Sequence, residues 1–183
     1  MSCPRPWPAA LLAASLLACS PALNWRQVRI DGMAMRMLLP CKPDRAEREV
    51  AMGGRSMPLR MLGCDADGAT FAVSHVQVPA ADPSNPSDSS ALLEGWKSAV
   101  LAHVHASGVV EQAWAPAGAQ PGAAAMRVQA QGRGADGAAV ALQAVWFAVA
   151  DPAGLHLVHA VVLAPQARAE AAETFFSSFA PAP

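Results

Sequence analysis

The sequence predicts an α+β domain, in which an antiparallel sheet of N-terminal hairpins and a C-terminal meander packs against two helices. Three observations predict it. Runs of period two, broken by glycine-containing turns, fill the first part of the chain. One stripe at helical spacing lies near the middle. Several long apolar strands then precede a closing segment that is again helical in spacing.

From Trp25 to Leu39 the alternation changes phase: Val28 and Ile30 share one face, then Met33, Met35, Met37 and Leu39 share the next. The change falls at Asp31-Gly32, a dipeptide suited to a tight hairpin turn. Pro40 and Pro43 then interrupt the strand, because proline cannot donate to a ladder. In a second hairpin, Arg48, Val50 and Met52 alternate with Glu47, Glu49 and Ala51 up to Gly53-Gly54, and the return runs through Met57, Leu59 and Met61. Asp65 to Gly68 is a turn. In the strand from Ala69 to Val78, Phe71 and Val73 face one way and Val76 and Val78 the other, so a bulge is expected near His75.

Pro79 to Ser90 is a polar loop ending in helix N-cap candidates, Asp88, Ser89 or Ser90. A helix is expected from Ala91 to about Ala106, with Leu92, Trp96, Ala99, Val100, His103 and Val104 as its apolar stripe. Ser107-Gly108 stops it. Strands follow at Val109 to Ala115, Ala124 to Gln131, Ala138 to Ala150 and Leu155 to Leu163. Pro165 suits the first turn of a closing helix to Phe179, with Ala169, Ala172, Phe176 and Phe179 inward. There is no internal repeat, and residues 25–180 form one domain.

The chain of 183 residues has a formal net charge of −1, so no long-range field favours nucleic acid. Its hydrophobic content of 53% is inflated by alanine, yet Val, Leu, Met, Trp and Phe recur throughout, which is not a disordered composition. Before the domain lies an apolar run, Ala9 to Ala18, about half the length that spans a bilayer and typical of a secretory leader. Its end, Leu16-Leu17-Ala18-Cys19, resembles the lipobox of bacterial lipoproteins. The resemblance implies a signal peptide over residues 1–18, a lipid-bearing thiol at Cys19 and a lipidated tether over residues 19–24. The acylated Cys19 would hold the protein to a lipid bilayer. Ser20, standing where an aspartate would favour inner-membrane retention, implies the outer membrane, facing the periplasm. A plain secretory signal and a soluble N-terminal helix are the other readings of the same residues.

With Cys3 and Cys19 in the leader segment, Cys41 and Cys64 are the cysteines of the folded part. They lie at the outer ends of the second hairpin, and pairing its strands about the glycines brings those ends together. A disulfide is expected there in an oxidising compartment; separate buried thiols or half of a metal site are the alternatives. The order of elements, with LLPCKP early and FFSSF in the terminal helix, resembles the PsbP-like fold. That resemblance implies an antiparallel sheet between helices and a binding or assembly role, and it carries over no functional residue.

Histidine is where metal or acid–base chemistry would sit. His103 and His105 diverge if helical, and His156 and His159, three apart on a strand, point to opposite faces. Ser74-His75 makes no triad by itself, and no G-x-S-x-G pattern occurs. The expectation is a non-catalytic protein without cofactor, binding an unknown envelope protein or small ligand; the alternative is a periplasmic enzyme or metal-binding protein using histidines. Met33, Met35, Met37, Met52, Met57 and Met61 are expected to form one face of the core. Arg26, Arg29, Arg36, Arg45, Arg48, Arg55 and Arg60 are expected to be a solvated face of the hairpins, or to meet anionic headgroups or an acidic partner.

Overall fold

In the computed structural model of the chain, residues 22–78, 86–120 and 124–183 are described. The leader, Cys19 and most of the Pro79–Ser90 loop therefore lie outside the described residues. A seven-stranded antiparallel sheet runs in the order β3-β4-β5-β9-β8-β7-β6, from β3 (Asp44–Met52), β4 (Arg55–Ala66) and β5 (Ala69–Val78) to β9 (Gly154–Ala164), β8 (Ala139–Asp151), β7 (Met126–Arg133) and β6 (Ser107–Ala113). A second sheet joins β1 (Arg26–Arg29), β2 (Met35–Leu39) and the two-residue β10 (Ala180–Pro181). The helices are α1 (Pro86–His103) and α2 (Ala169–Ser177).

This overturns the expected α+β sandwich of one sheet between helices. Among the described residues strand makes up 54% and helix 16%, and their architecture is two antiparallel sheets with two helices. The first hairpin does not join the main sheet. It forms as expected, with Val28 opposite Met37, but its free edge is taken by β10. Val28, Ile30, Met33, Met35, Met37 and Leu39 are all buried against the main sheet, because the hairpin is apolar on the face it turns toward it. The fold implied by the PsbP-like resemblance falls with the fold class.

Both faces of the main sheet are covered. On one, the small sheet and α2 bury Phe71, Val73, Phe147, Val158, Phe175 and Phe176. On the other, Val76, Leu142, Trp146 and Leu157 lie in a second core with Leu93 and Val104. Strands buried on both faces lose their alternation, which explains the apolar run Ala144–Ala150 of β8. It also removes the bulge expected at His75. The pairing of β5 with β9 is continuous from Thr70 to Val78, and Val73 and Val76 face opposite cores in an unbroken strand. The six hairpin methionines are not one face: Met33, Met35 and Met37 lie in the first core, Met52 and Met61 pack against the second, and Met57 is buried outside both.

The helices also depart from expectation. α1 begins at Pro86, placing Asp88, Ser89 and Ser90 inside it; of the predicted stripe only Val104, just past its end, is buried, and within the helix Leu93 and Lys97 are buried instead. α2 begins at Ala169, not Pro165, and adds Phe175 to the buried residues, while Ala169 is exposed and Phe179 is buried just past its end.

The position of α1 sets up the site. Ser90 Oγ accepts from the Ala124 N–H at 3.2 Å, Lys97 Nζ lies 2.6 Å from Glu111 of β6, and the Val104 carbonyl accepts from the Arg133 N–H at 2.7 Å. These contacts hold α1 over the β6–β7 half of the sheet. Gly132 permits the last of them, since a Cβ there would stand 2.7 Å from the Val104 carbonyl oxygen.

Candidate functional site

On the other half of the same face, the β3–β4 hairpin is left without a helix. The register sets Arg48 opposite Leu59, Val50 opposite Met57 and Met52 opposite Arg55, so these six side chains share one face. The tip curls toward α1: Gly53, at φ +58, lies so close to Leu92 that a Cβ would approach its Cδ2 to 2.7 Å. Between hairpin and helix runs an open groove of about 930 Å³, at the upper end of the size of small-molecule sites.

The hairpin supplies Val50, Met52, Met57 and Leu59 to this groove, and β5 supplies Val78. The opposite wall is Leu92, Trp96, Ala99, Val100 and His103. Most of the apolar stripe expected for α1 therefore lines a groove, while Leu92, Trp96 and Val100 also pack against the edge of the second core. Trp96 packs edge-on against His159 at 5.6 Å, and His159 stacks on Trp146 at 4.5 Å. Burial lowers the pKa of His159 to about 3, so the ring is a neutral aromatic support under the groove.

The groove carries charge of one sign. Arg48 and Arg55 line it, and no carboxylate does. The other hairpin arginines are engaged elsewhere: Arg45 with Asp31 at 2.6 Å, Arg60 with Glu47 at 2.9 Å, Arg36 with the Pro181 carbonyl and Gln27, and Arg26 and Arg29 with the Asn24 and Pro183 carbonyls. Arg48 and Arg55 join no ion pair among the described residues. The N-terminal arginines are solvent-facing, as expected, but are spread over two sheets and do not share one face. Two of them belong to the groove.

Of the predicted site residues, Cys41 and Cys64 form a disulfide with Cα atoms 6.0 Å apart, at the base of the hairpin as its register requires. Cys19 lies outside the described residues. The histidines do not assemble together. His103 and His105 are exposed beyond or at the end of α1, and His156 and His159 occupy opposite faces of β9. His75 and His156 come within 5.8 Å beneath the first hairpin, both buried. Burial, then the neighbouring His156, lowers the His75 pKa to about 4 against the opposing Asp31 carbonyl. His156 is oriented by Asp151 at 3.1 Å, while Ser74 faces the other side of the sheet. Among the described residues no three of His, Cys, Asp and Glu gather as metal ligands.

The groove is not legible in the sequence because its two walls, Arg48–Leu59 and Ala91–His103, are separate segments of the chain. One signal was available. Leu92-Leu93 and Val100-Leu101 are adjacent apolar pairs, so the apolar arc of α1 is wider than one packed face needs. Comparison with known protein families and with curated proteins finds no match.

Proposed function

We propose that the protein is an exported lipoprotein, anchored by acylated Cys19 to the outer membrane and facing the periplasm, with a non-catalytic binding role exercised through the groove between α1 and the β3–β4 hairpin. The groove carries this reading. A soluble domain leaves so much half-buried Val, Met, Leu and Trp beside a packed core when something apolar is to be received. The Cys41–Cys64 disulfide supports an oxidising compartment, and the lipobox-like LLAC ending supports the anchor. No helix among the described residues is long and apolar enough to cross a membrane.

Two measurements test it. With labelled palmitate in cells, the wild-type chain incorporates label and fractionates with membranes, and Cys19→Ala loses both; an unlabelled wild-type chain sinks the anchor. For the groove, the full chain is purified unacylated and without detergent, then titrated with the neutral dye Nile red. Saturable binding is expected, and Ala99→Trp, at an exposed position on the groove wall, abolishes it. Absence of binding removes the binding role.

A further inference from the structure

We infer that the groove takes a single-chain lipid with an anionic head, the hydrocarbon tail lying between α1 and the hairpin and the head held at an end of the groove by Arg48 or Arg55. The inference rests on the binding role proposed above and adds the class of ligand.

Two features of the groove select it. The first is what the interior lacks. Between the arginines, the hairpin face offers Val50, Met52, Met57 and Leu59, and the facing helix offers Leu92 and Trp96. Apart from the Trp96 indole N–H, none of these side chains can pair with a peptide group. An extended polypeptide would bury backbone donors and acceptors there at a cost of about 1–3 kcal/mol each. A hydrocarbon chain has none to bury. Methionine also suits a flexible tail, since its unbranched thioether adapts to irregular shapes.

The second feature is the charge. Arg48 and Arg55 stand on the same face of adjacent strands, with no carboxylate lining the groove and no ion pair of their own among the described residues. A guanidinium binds a carboxylate or phosphate head through paired N–H donors, whereas a neutral or cationic head gains nothing from it. The register sets Arg55 opposite Met52, four residues or about 14 Å of strand from Arg48, so the two guanidiniums stand at opposite ends of the apolar floor, and either can hold a head while the tail lies along the floor toward the other.

The test compares laurate with dodecanol, equal in chain length and different in charge, by calorimetry on the full unacylated chain without detergent. Laurate is expected to bind about tenfold or more tighter than dodecanol, with an affinity that falls as salt rises. The double variant Arg48→Gln, Arg55→Gln is expected to equalise the two ligands, laurate falling to the affinity of dodecanol. Both arginines are exposed, and circular dichroism confirms that the variant folds. Equal binding of laurate and dodecanol to the wild-type chain overturns the headgroup assignment while leaving the apolar groove intact. Failure of Nile red as well as laurate removes the groove itself. A dimer in light scattering that is insensitive to laurate assigns the groove to a second copy and overturns the inference.

Discussion

His156 donates from Nε2 to the Asp151 carboxylate across 3.1 Å, bridging the β8–β9 turn from inside. The same carboxylate accepts from the Ala34 N–H at 2.7 Å and the Ala153 N–H at 2.8 Å. Burial opposes its ionisation, but these three donors outweigh burial and hold the Asp151 pKa below the ordinary carboxylate value. One side chain thus ties the small sheet to the large one. Asp151→Ala leaves the Ala34 N–H and the buried His156 without this acceptor and should cost about 2–3 kcal/mol. Urea denaturation checks it: a midpoint within error of wild type would deny the clasp any part in stability.

Acid should destabilise the fold well above the carboxylate range. His75 is held neutral to about pH 4 and His159 to about pH 3, each lowered first by burial, from an ordinary value of 6.5. Below pH 6.5 the unfolded chain takes up protons that the native chain refuses, so stability falls as pH falls. The slope is about 1.4 kcal/mol per unit for each histidine until its folded pKa is reached. Asp151 adds to the loss only lower, as pH drops through its own depressed pKa. Urea midpoints at pH 7 and pH 5 should differ strongly, and His159→Phe should flatten the profile even if it alters the midpoint at pH 7. An unchanged slope in that variant counts against the buried neutral ring.

Cutting the disulfide should weaken the hairpin that forms one groove wall. Cys41 and Cys64 are 23 residues apart in sequence, and releasing a loop of that size costs about 3 kcal/mol on the chain-entropy view. Cys41→Ala with Cys64→Ala should lower the melting temperature and weaken Nile red binding, with dithiothreitol producing the same changes in the wild-type chain. Identical melting with and without reductant contradicts the prediction.

Lys97 gives an asymmetric prediction. Its side chain is 8% exposed, while its partners Glu94 and Glu111, at 2.7 and 2.6 Å, are 55% and 43% exposed. Burial disfavours its charge, yet the two glutamates more than compensate and raise its pKa. Lys97→Met returns two solvated glutamates to water and should cost about 1 kcal/mol or less. Glu94→Gln with Glu111→Gln strands a buried ammonium and should cost about 2–4 kcal/mol. Denaturant curves for the two variants should fall in that order, and the reverse order refutes the account.

Local rules were enough for the hairpins. Asp31-Gly32 and Gly53-Gly54 turn where the alternation changes, because a turn needs only its own residues and their immediate neighbours. The Cys41–Cys64 bond followed from that register, since antiparallel pairing fixes which ends meet. His156 and His159 lie on opposite faces because a strand has period two.

What sequence could not decide was which apolar face meets which. Leu92, Trp96, Ala99 and Val100 keep helical spacing whether they pack in a core or line a groove, and hydrophobicity carries no address. Only the tertiary structure set Leu93 and Lys97 inward and left the neighbouring stripe facing the hairpin. The same holds for the sheets. Alternation made β1 and β2 strands, but their separation into a second sheet closed by β10 depended on both faces of the main sheet needing cover, a demand that arises only once the strands have assembled.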